Sequence, residues 1–104
     1  MQIETLESAE PSGRKTLVFR VNREFDYLAV PDARKAFDTV KNDNIQVVVD
    51  MKETAFIDSS GLGFLLMMHY DLPGGDDSFK IVNCQPHIRR VFERAQFQQI
   101  IDIE

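Results

Sequence analysis

One stretch decides the fold, residues 45–70, which reads "IQVVVDMKETAFIDSSGLGFLLMMHY". Its first part, residues 45–51, is a continuous β-branched run typical of a strand buried on both faces, so we expect helices on both sides of it. Its last part, from residue 62 onward, is a dense apolar run that predicts a helix of about three turns. The intervening "IDSSGLG" (57–63) therefore places two serines and two glycines at the N-terminus of that helix.

Upstream of this stretch, the pattern predicts a hairpin and a helix. A short strand near residues 3–6 and a second strand at 16–22 flank the turn-rich segment "EPSGRK" (10–15). The helix begins at Pro31 and stops at residues 42–44. The apolar positions of the second strand are Leu17, Phe19 and Val21, and those of the helix are Ala33, Ala36, Phe37 and Val40.

Downstream, the chain continues with a strand, a helix and a short strand. The break "LPGGDD" (72–77) precedes the strand "FKIVNC" (79–84), and a helix follows from Pro86. The apolar face of that helix carries Ile88, Val91, Phe92 and Ala95. We expect "FQQIIDIE" (97–104) to close the chain as a short edge strand. This alternation predicts an α/β domain with a largely parallel or mixed sheet.

Composition indicates a single small domain. The chain has 104 residues, of which 43% are hydrophobic and 28% charged, enough for one core. The single Cys84 rules out an internal disulfide and suits a reducing compartment. A net charge of -5 argues against nucleic-acid binding. With no signal-peptide pattern and no membrane-spanning apolar run, we expect a cytoplasmic protein, either free or on the cytoplasmic face of a membrane complex.

Two interpretations of the serines follow from their place at a helix start. Asp58, Ser59 or Ser60 can cap the helix, a role that these residue types fill very often. The serines can also act as a chemical switch, because the free N–H groups and partial positive charge of a helix N-terminus favour an oxyanion. Gly61 and Gly63 argue against a pure cap, since each glycine costs about 0.5–1 kcal/mol relative to alanine in a helix. The glycines therefore indicate that the backbone is left bare for a reason, such as the close approach of another molecule.

The helix after the serines is apolar around most of its circumference. Its two apolar arcs are Leu62, Leu65 and Leu66 on one side, and Phe64, Met67 and Met68 on the other. Either the helix is sandwiched in the core and its methionines fill gaps, or the second arc is partly exposed beside the serines and receives a partner. The sequence leaves both accounts open.

No catalytic constellation is visible in the sequence. The hydrolase elbow needs a glycine two residues before its serine, and Ile57 and Asp58 stand at those places. His69 and His87 are expected to be ordinary surface or packing histidines. Phosphate-loop and dinucleotide-loop signatures fail, and no metal ligands cluster at standard spacing. The sequence therefore predicts no enzyme and no bound cofactor or metal.

A family resemblance is carried by "VVVDMKETAFIDSSGLGFLL" (47–66). This segment closely resembles the STAS domains of bacterial anti-sigma factor antagonists, whose hallmark is a buried strand, a short loop and D-S-[ST]-G-L-G opening a helix. The C-terminal "FKIVNCQPHIRRVFERAQFQQIIDI" (79–103) is also similar to that family. The resemblance implies a single STAS domain over residues 1–104, an α/β fold with a mixed four- to five-stranded sheet and about three to four helices.

The resemblance also implies a function in signal transduction and transcription regulation. In that family the first serine of the motif is phosphorylated by a partner that is both an anti-sigma factor and a serine kinase with an ATP-binding kinase fold. A PP2C-type serine phosphatase removes the phosphate, and the unphosphorylated antagonist binds the partner and frees the sigma factor, a mechanism known as partner switching. By position, the phosphoacceptor is Ser59. With the apolar helix included, the expected partner-binding residues are Asp26, Asp58, Ser60, Gly61, Leu62, Gly63, Phe64, Met67 and Met68.

Asp26 is included because the family usually has a Gly-x-[LF]-D element after its first long strand. In "NREFDYL" (22–28) Phe25 and Asp26 match this element, but Asn22 or Arg23 stands where glycine is expected. Asp26 can equally organise the loop before the helix at Pro31.

A second hypothesis is a STAS subunit that is never phosphorylated. It would use the same helix end and the Met67 and Met68 patch to dock constitutively on a membrane transport complex. In either case we expect a monomer or weak dimer, with no direct membrane insertion and no nucleic-acid partner.

Overall fold

The fold is organised by a mixed five-stranded sheet, seen in a computed structural model that describes residues 2–6, 14–41, 44–72 and 78–104, the first range as backbone alone. Its strands are β1 (Gln2–Leu6), β2 (Lys15–Arg20), β4 (Ile45–Asp50), β6 (Phe79–Val82) and β7 (Asp102–Ile103). The strand order is β1-β2-β4-β6-β7, with β1 antiparallel to β2 and all other neighbours parallel. The described helices are α1 (Val30–Asp38), α2 (Ser59–Asp71) and α3 (Pro86–Arg94), and a 3-10 turn spans Phe97–Gln99.

The core lies on one face of this sheet. Leu17 and Phe19 of β2, and Val47 and Val49 of β4, alternate inward as their period-2 pattern predicts, and each is at most 4% exposed. Buried side chains of all three described helices join the same cluster: Ala33 and Phe37, Phe64, Leu65 and Met68, and Ile88 and Phe92. The predicted α/β domain with a mixed sheet is therefore confirmed.

The opposite face of the sheet corrects one prediction. Val18, Val48 and Val82 are half-buried there and do not pack against the core. The same face carries Gln46 and Asp50 of β4, which are also half-buried. Over the described ranges, the expectation of helices on both sides of residues 45–51 is therefore wrong, because a β-branched run satisfies strand propensity on a half-exposed face as well as on a buried one.

Most predicted elements are present, with shifts at their ends. The N-terminal strand pair and the C-terminal edge strand are confirmed, but α1 ends at Asp38 rather than at residues 42–44. It ends early because the Phe37 carbonyl accepts from both Val40 N and Lys41 N, which closes the last turn. The predicted turn at residues 10–13 and most of the break at 72–77 lie outside the described residues.

A two-stranded parallel sheet, which was not predicted from the sequence, lies directly before the N-terminus of α2. Strand β3 (Glu24–Phe25) pairs with β5 (Phe56–Ile57), aligning Phe25 with Ile57. The buried Thr54 hydroxyl donates to Asn22 O at 3.1 Å and joins the two segments just before they pair. The loop after β3 is thereby fixed beside the first turn of α2.

The two glycines of α2 have different roles. A Cβ on Gly61 would lie 2.5 Å from Phe25 O and 2.9 Å from Ile57 Cγ1, which is too close for any side chain. The molecule that needs a bare backbone at Gly61 is thus this chain itself, not a partner. A Cβ on Gly63 would meet nothing within 4 Å, so packing within the described residues does not require glycine there.

The glycine pair gives a matched stability test. Gly61→Ala should lower the free energy of unfolding by about 1–3 kcal/mol, because Phe25 and the β3–β5 pair would have to move. Gly63→Ala should raise it by about 0.5–1 kcal/mol, since alanine is the better helix former in open space. Urea unfolding followed by circular dichroism measures both, and equal effects of the two substitutions would contradict the assignment.

Candidate functional site

The first turn of α2 is capped by Asp58. Its backbone is extended, and its Oδ1 accepts a hydrogen bond from Gly61 N at 2.9 Å. Ser59 and Ser60 occupy the first two helical positions and are exposed. The structure therefore assigns the cap to Asp58 alone among the three candidates, and both serine side chains face solvent.

The second carboxylate oxygen of Asp58 binds a distant segment. Asp58 Oδ2 accepts from Tyr27 N at 3.0 Å, and the Asp58 N–H donates to Phe25 O at 3.3 Å. One carboxylate thus ties the start of α2 to the loop that follows β3, 31 residues earlier in the chain. We call residues 26–29 the Tyr27 loop.

Asp26 holds the rest of the Tyr27 loop. Its Oδ1 accepts from Leu28 N at 3.1 Å and from Ala29 N at 3.2 Å, and its carbonyl accepts from Val30 N at the start of α1. Asp26 therefore organises the turn that leads into α1, which is one of the two roles considered for it. A direct contact between Asp26 and a partner stays a prediction.

Three exposed apolar side chains lie on the segments that adjoin Asp58 and the serines. Tyr27 is 65% exposed, Leu28 70% and Phe56 52%, unusually high values for large hydrophobic side chains. They come from segments that meet at Asp58: the Tyr27 loop through its hydrogen bond, and Phe56 two residues before the cap. We call the set made by Tyr27, Leu28, Phe56, Ser59, Ser60 and Gly63 the serine surface.

The apolar part of the serine surface, Tyr27, Leu28 and Phe56, was not predicted from the sequence. Tyr27 and Leu28 follow the Phe-Asp match in "NREFDYL" and break the helical spacing that begins at Pro31. Their position was a usable signal of exposure, because large apolar side chains in a turn do not belong to the buried face of a helix or strand.

The apolar side chains around α2 are mostly internal, so several residues that were predicted to contact a partner are buried instead. Phe64 is 4% exposed and Met68 2%, and Gly61 is buried as well. Leu62 and Met67 are half-buried and pack against the core. In this conformation Gly61, Phe64 and Met68 offer no surface to a partner, so the sandwiched account of the helix holds.

The reason is that α2 packs both on the core and on α1. The Phe64 ring lies 6.0 Å from the ring of Phe25 and 6.4 Å from that of Phe37 of α1. On the same side, Arg34 of α1 donates from Nη1 to Met67 Sδ at 2.9 Å. The second apolar arc is thus used to pack one helix on another, as an all-round apolar helix requires.

The remaining candidate groups have structural environments. His69 is buried, with its ring 6.0 Å from that of Phe79, and His87 Nε2 lies 2.7 Å from Ala55 O. Both match the prediction of surface or packing histidines. Burial raises the pKa of the Cys84 thiol to about 11 against an opposing effect of Arg89, so the thiol is protonated at neutral pH.

A polar cavity of about 430 Å³ lies at the carboxyl ends of β2, β4 and β6. Its polar groups largely pair with one another: Asp50 Oδ1 accepts from Lys52 N at 3.0 Å and from Asn83 Nδ2 at 3.2 Å. Arg20 Nε lies 3.9 Å from Asp50 Oδ2. Over the described ranges, no three His, Cys, Asp or Glu side chains come together as metal ligands would.

The family is decided by a comparison with known protein families. The STAS domain model matches residues 3–104. The chain belongs to the STAS domain family. The resemblance seen in the DSSGLG segment is confirmed, and so is the fold it implied.

Individual relatives agree. A STAS-domain containing protein of Pseudomonas aeruginosa strain UCBPP-PA14 is 30% identical over 103 residues, which is 99% of each chain. The structure is similar to an anti-sigma factor antagonist from Mycobacterium paratuberculosis, with a TM-score of 0.74 and 23% identity over 98% of this chain and 85% of that one.

A third relative has been solved in two chemical states. The anti-sigma factor antagonist SpoIIAA, a Bacillus cell fate determinant, matches in its unphosphorylated form with a TM-score of 0.70 and in its phosphorylated form with 0.68. Each match has 22% identity and covers 99% of this STAS domain, with 87% and 91% of the respective SpoIIAA chains. At these identities the solved structures establish the shared fold. Within the described residues, the STAS domain contains no helix with the length and apolarity that crossing a bilayer demands.

Proposed function

We propose that this STAS domain is a phosphorylation-controlled protein-binding module of the anti-sigma factor antagonist type, and not an enzyme. The unphosphorylated form binds an anti-sigma factor that is also a serine kinase. Phosphorylation of Ser59 releases that partner, and a PP2C-type serine phosphatase restores binding. The cytoplasm is the compartment where such partners meet.

The observation that carries the proposal is that Ser59 is exposed and does not cap the helix. It is exposed at the first helical position of α2, directly after a cap supplied by Asp58. The helix therefore does not depend on the Ser59 hydroxyl for its cap, and a kinase can reach that hydroxyl without unfolding the turn. Similarity to SpoIIAA, solved with and without phosphate, supports control by phosphorylation, and the choice of Ser59 rests on the resemblance of the DSSGLG segment to the family motif.

A phosphate at this position can be accommodated without a change of fold. It adds about -1.5 to -2 charges, and the helix N-terminus offers free N–H groups and a partial positive charge to it. Its main effect is on a partner, because the neighbouring Asp58 already carries negative charge. A partner surface adapted to a neutral serine beside Tyr27 and Leu28 would then face a concentrated anionic site and be repelled.

Gly63 supports the close approach of a partner. It is exposed, and no described side chain or backbone of the STAS domain occupies the space where its Cβ would lie. Since a glycine in a helix interior lowers stability, its presence here fits a surface on which another backbone lies directly.

Substitutions of the serines test the proposal. A tagged STAS domain is purified from its own cells, and any copurifying kinase is incubated with it and radiolabelled ATP. Label should enter wild type and the matched control Ser60→Ala, and be lost in Ser59→Ala. Ser59→Asp should bind the kinase about tenfold or more weakly with an unchanged circular dichroism spectrum, while Ser59→Ala binds constitutively.

Two results would remove the phosphorylation proposal. One is label that persists in Ser59→Ala. The other is copurification with a membrane transport ATPase under conditions in which phosphoserine never occurs, which would favour the constitutive docking function instead.

Gly63 gives a second, independent test on the same partner. Gly63→Ala should weaken kinase binding about tenfold while raising the stability of the STAS domain, because the added methyl occupies the interface and not the core. Isothermal titration with the purified kinase measures the loss. Unchanged affinity would show that the partner does not approach the helix at Gly63.

A further inference from the structure

The Tyr27 loop is held by carboxylates rather than by packing of its two central side chains. Tyr27 and Leu28 are 65% and 70% exposed, so their side chains contribute little to fixing the backbone between them. Three N–H groups of the loop instead end on two aspartates: Tyr27 N on Asp58, and Leu28 N and Ala29 N on Asp26. Of these bonds, the one from Tyr27 N joins the loop to α2.

The two aspartates hold their donors differently. Asp26 uses one oxygen, Oδ1, for both Leu28 N and Ala29 N. Asp58 uses its two oxygens separately, Oδ1 for Gly61 N at 2.9 Å and Oδ2 for Tyr27 N at 3.0 Å. Both bonds of Asp58 therefore depend on one orientation of one carboxylate.

A phosphate on Ser59 would disturb that orientation. It stands next to Asp58 in the chain, so two anionic groups would share the first turn of α2. The phosphate oxygens would also compete for the N–H groups of that turn, one of which, Gly61 N, is the donor that Asp58 now holds. If the Asp58 carboxylate is displaced from Gly61 N, the same movement takes Oδ2 away from Tyr27 N.

We propose that Asp58 is a positioning residue that transmits the phosphorylation state of Ser59 to the Tyr27 loop. In the unphosphorylated STAS domain it holds Tyr27 and Leu28 in the arrangement that the partner binds. In the phosphorylated domain the bond to Tyr27 N is lost and the loop is released at that end. This inference rests on the proposed function for its choice of Ser59, and it adds a conformational effect to the charge repulsion described above.

The test uses chains in which phosphoserine is encoded genetically at position 59, so that no kinase is required. Amide hydrogen exchange is followed by NMR at Tyr27, with Leu28 as the internal reference because its N–H is held by Asp26. Phosphoserine should accelerate exchange at Tyr27 by about tenfold or more while leaving Leu28 unchanged. The added negative charge repels hydroxide, which slows exchange, so acceleration cannot come from the charge alone.

Matched carboxamide variants separate hydrogen bonding from charge. Asp58→Asn has one oxygen in place of two and cannot hold Gly61 N and Tyr27 N as now, so it should accelerate Tyr27 exchange without phosphate. Asp26→Asn removes the same charge but keeps an oxygen for both of its donors, so it should leave Tyr27 protected. If Asp58→Asn does not fold, the comparison of chains with serine and phosphoserine at position 59 decides the matter.

Two outcomes would overturn the inference. In one, phosphoserine at position 59 leaves Tyr27 exchange as slow as in the unmodified chain. In the other, Tyr27 and Leu28 accelerate together, which would mean that the whole loop loosens and Asp58 has no selective part. Neither outcome touches the proposed function, which is tested by the loss of label in Ser59→Ala and by the affinity of Ser59→Asp.

Discussion

The double hydrogen bond of the Asp58 carboxylate is the interaction on which the functional end of this STAS domain depends. One oxygen caps α2 through Gly61 N, and the other binds Tyr27 N from a segment far away in the chain. Because Asp58 supplies the cap, the serines that follow it are left exposed. Because it also holds the Tyr27 loop, exposed apolar side chains stand beside those serines.

The fit of Gly61 against Phe25 makes this arrangement possible. With no Cβ at Gly61, the first turn of α2 approaches the β3–β5 pair closely enough for the Asp58 N–H to reach Phe25 O. The pair is only two residues long in each strand, but the buried Thr54 ties its incoming segments together. A short ladder, a glycine and a carboxylate thus position a surface that no single element would define.

The inward packing of the apolar side chains of α2 explains why the proposed binding surface lies at the N-terminal end of that helix. Its long apolar side chains from Leu62 to Met68 pack inward, which leaves Ser59, Ser60 and Gly63 exposed at the N-terminal end of the helix. A charge change at Ser59 would therefore act close to the exposed side chains of the Tyr27 loop, and the core need not respond. This division suits a switch that changes affinity and leaves the fold intact.

Strand alternation, helical spacing and two continuous apolar runs were enough to predict the order of the main elements, because most of these elements bury one periodic face and the runs mark β4 and α2. They could not show how many layers a helix touches, which is why Phe64 and Met68 were counted as possible partner contacts. Two-residue strands carry no periodicity, so the pairing of Phe25 with Ile57 was invisible, and with it the reason for Gly61. The tie between Asp58 and Tyr27 is a tertiary contact over 31 positions, and a single sequence has no signal for it.

The central claim, that Ser59 is the regulated residue, is tested most directly on the STAS domain isolated from its own cells. Trypsin should release residues 53–80 as one peptide, which contains Ser59, Ser60 and Ser78. Fragmentation mass spectrometry of that peptide should place phosphate on Ser59, in a fraction that changes with growth conditions. Phosphate found on Ser60 or Ser78 instead, or its absence under every growth condition, would contradict the account.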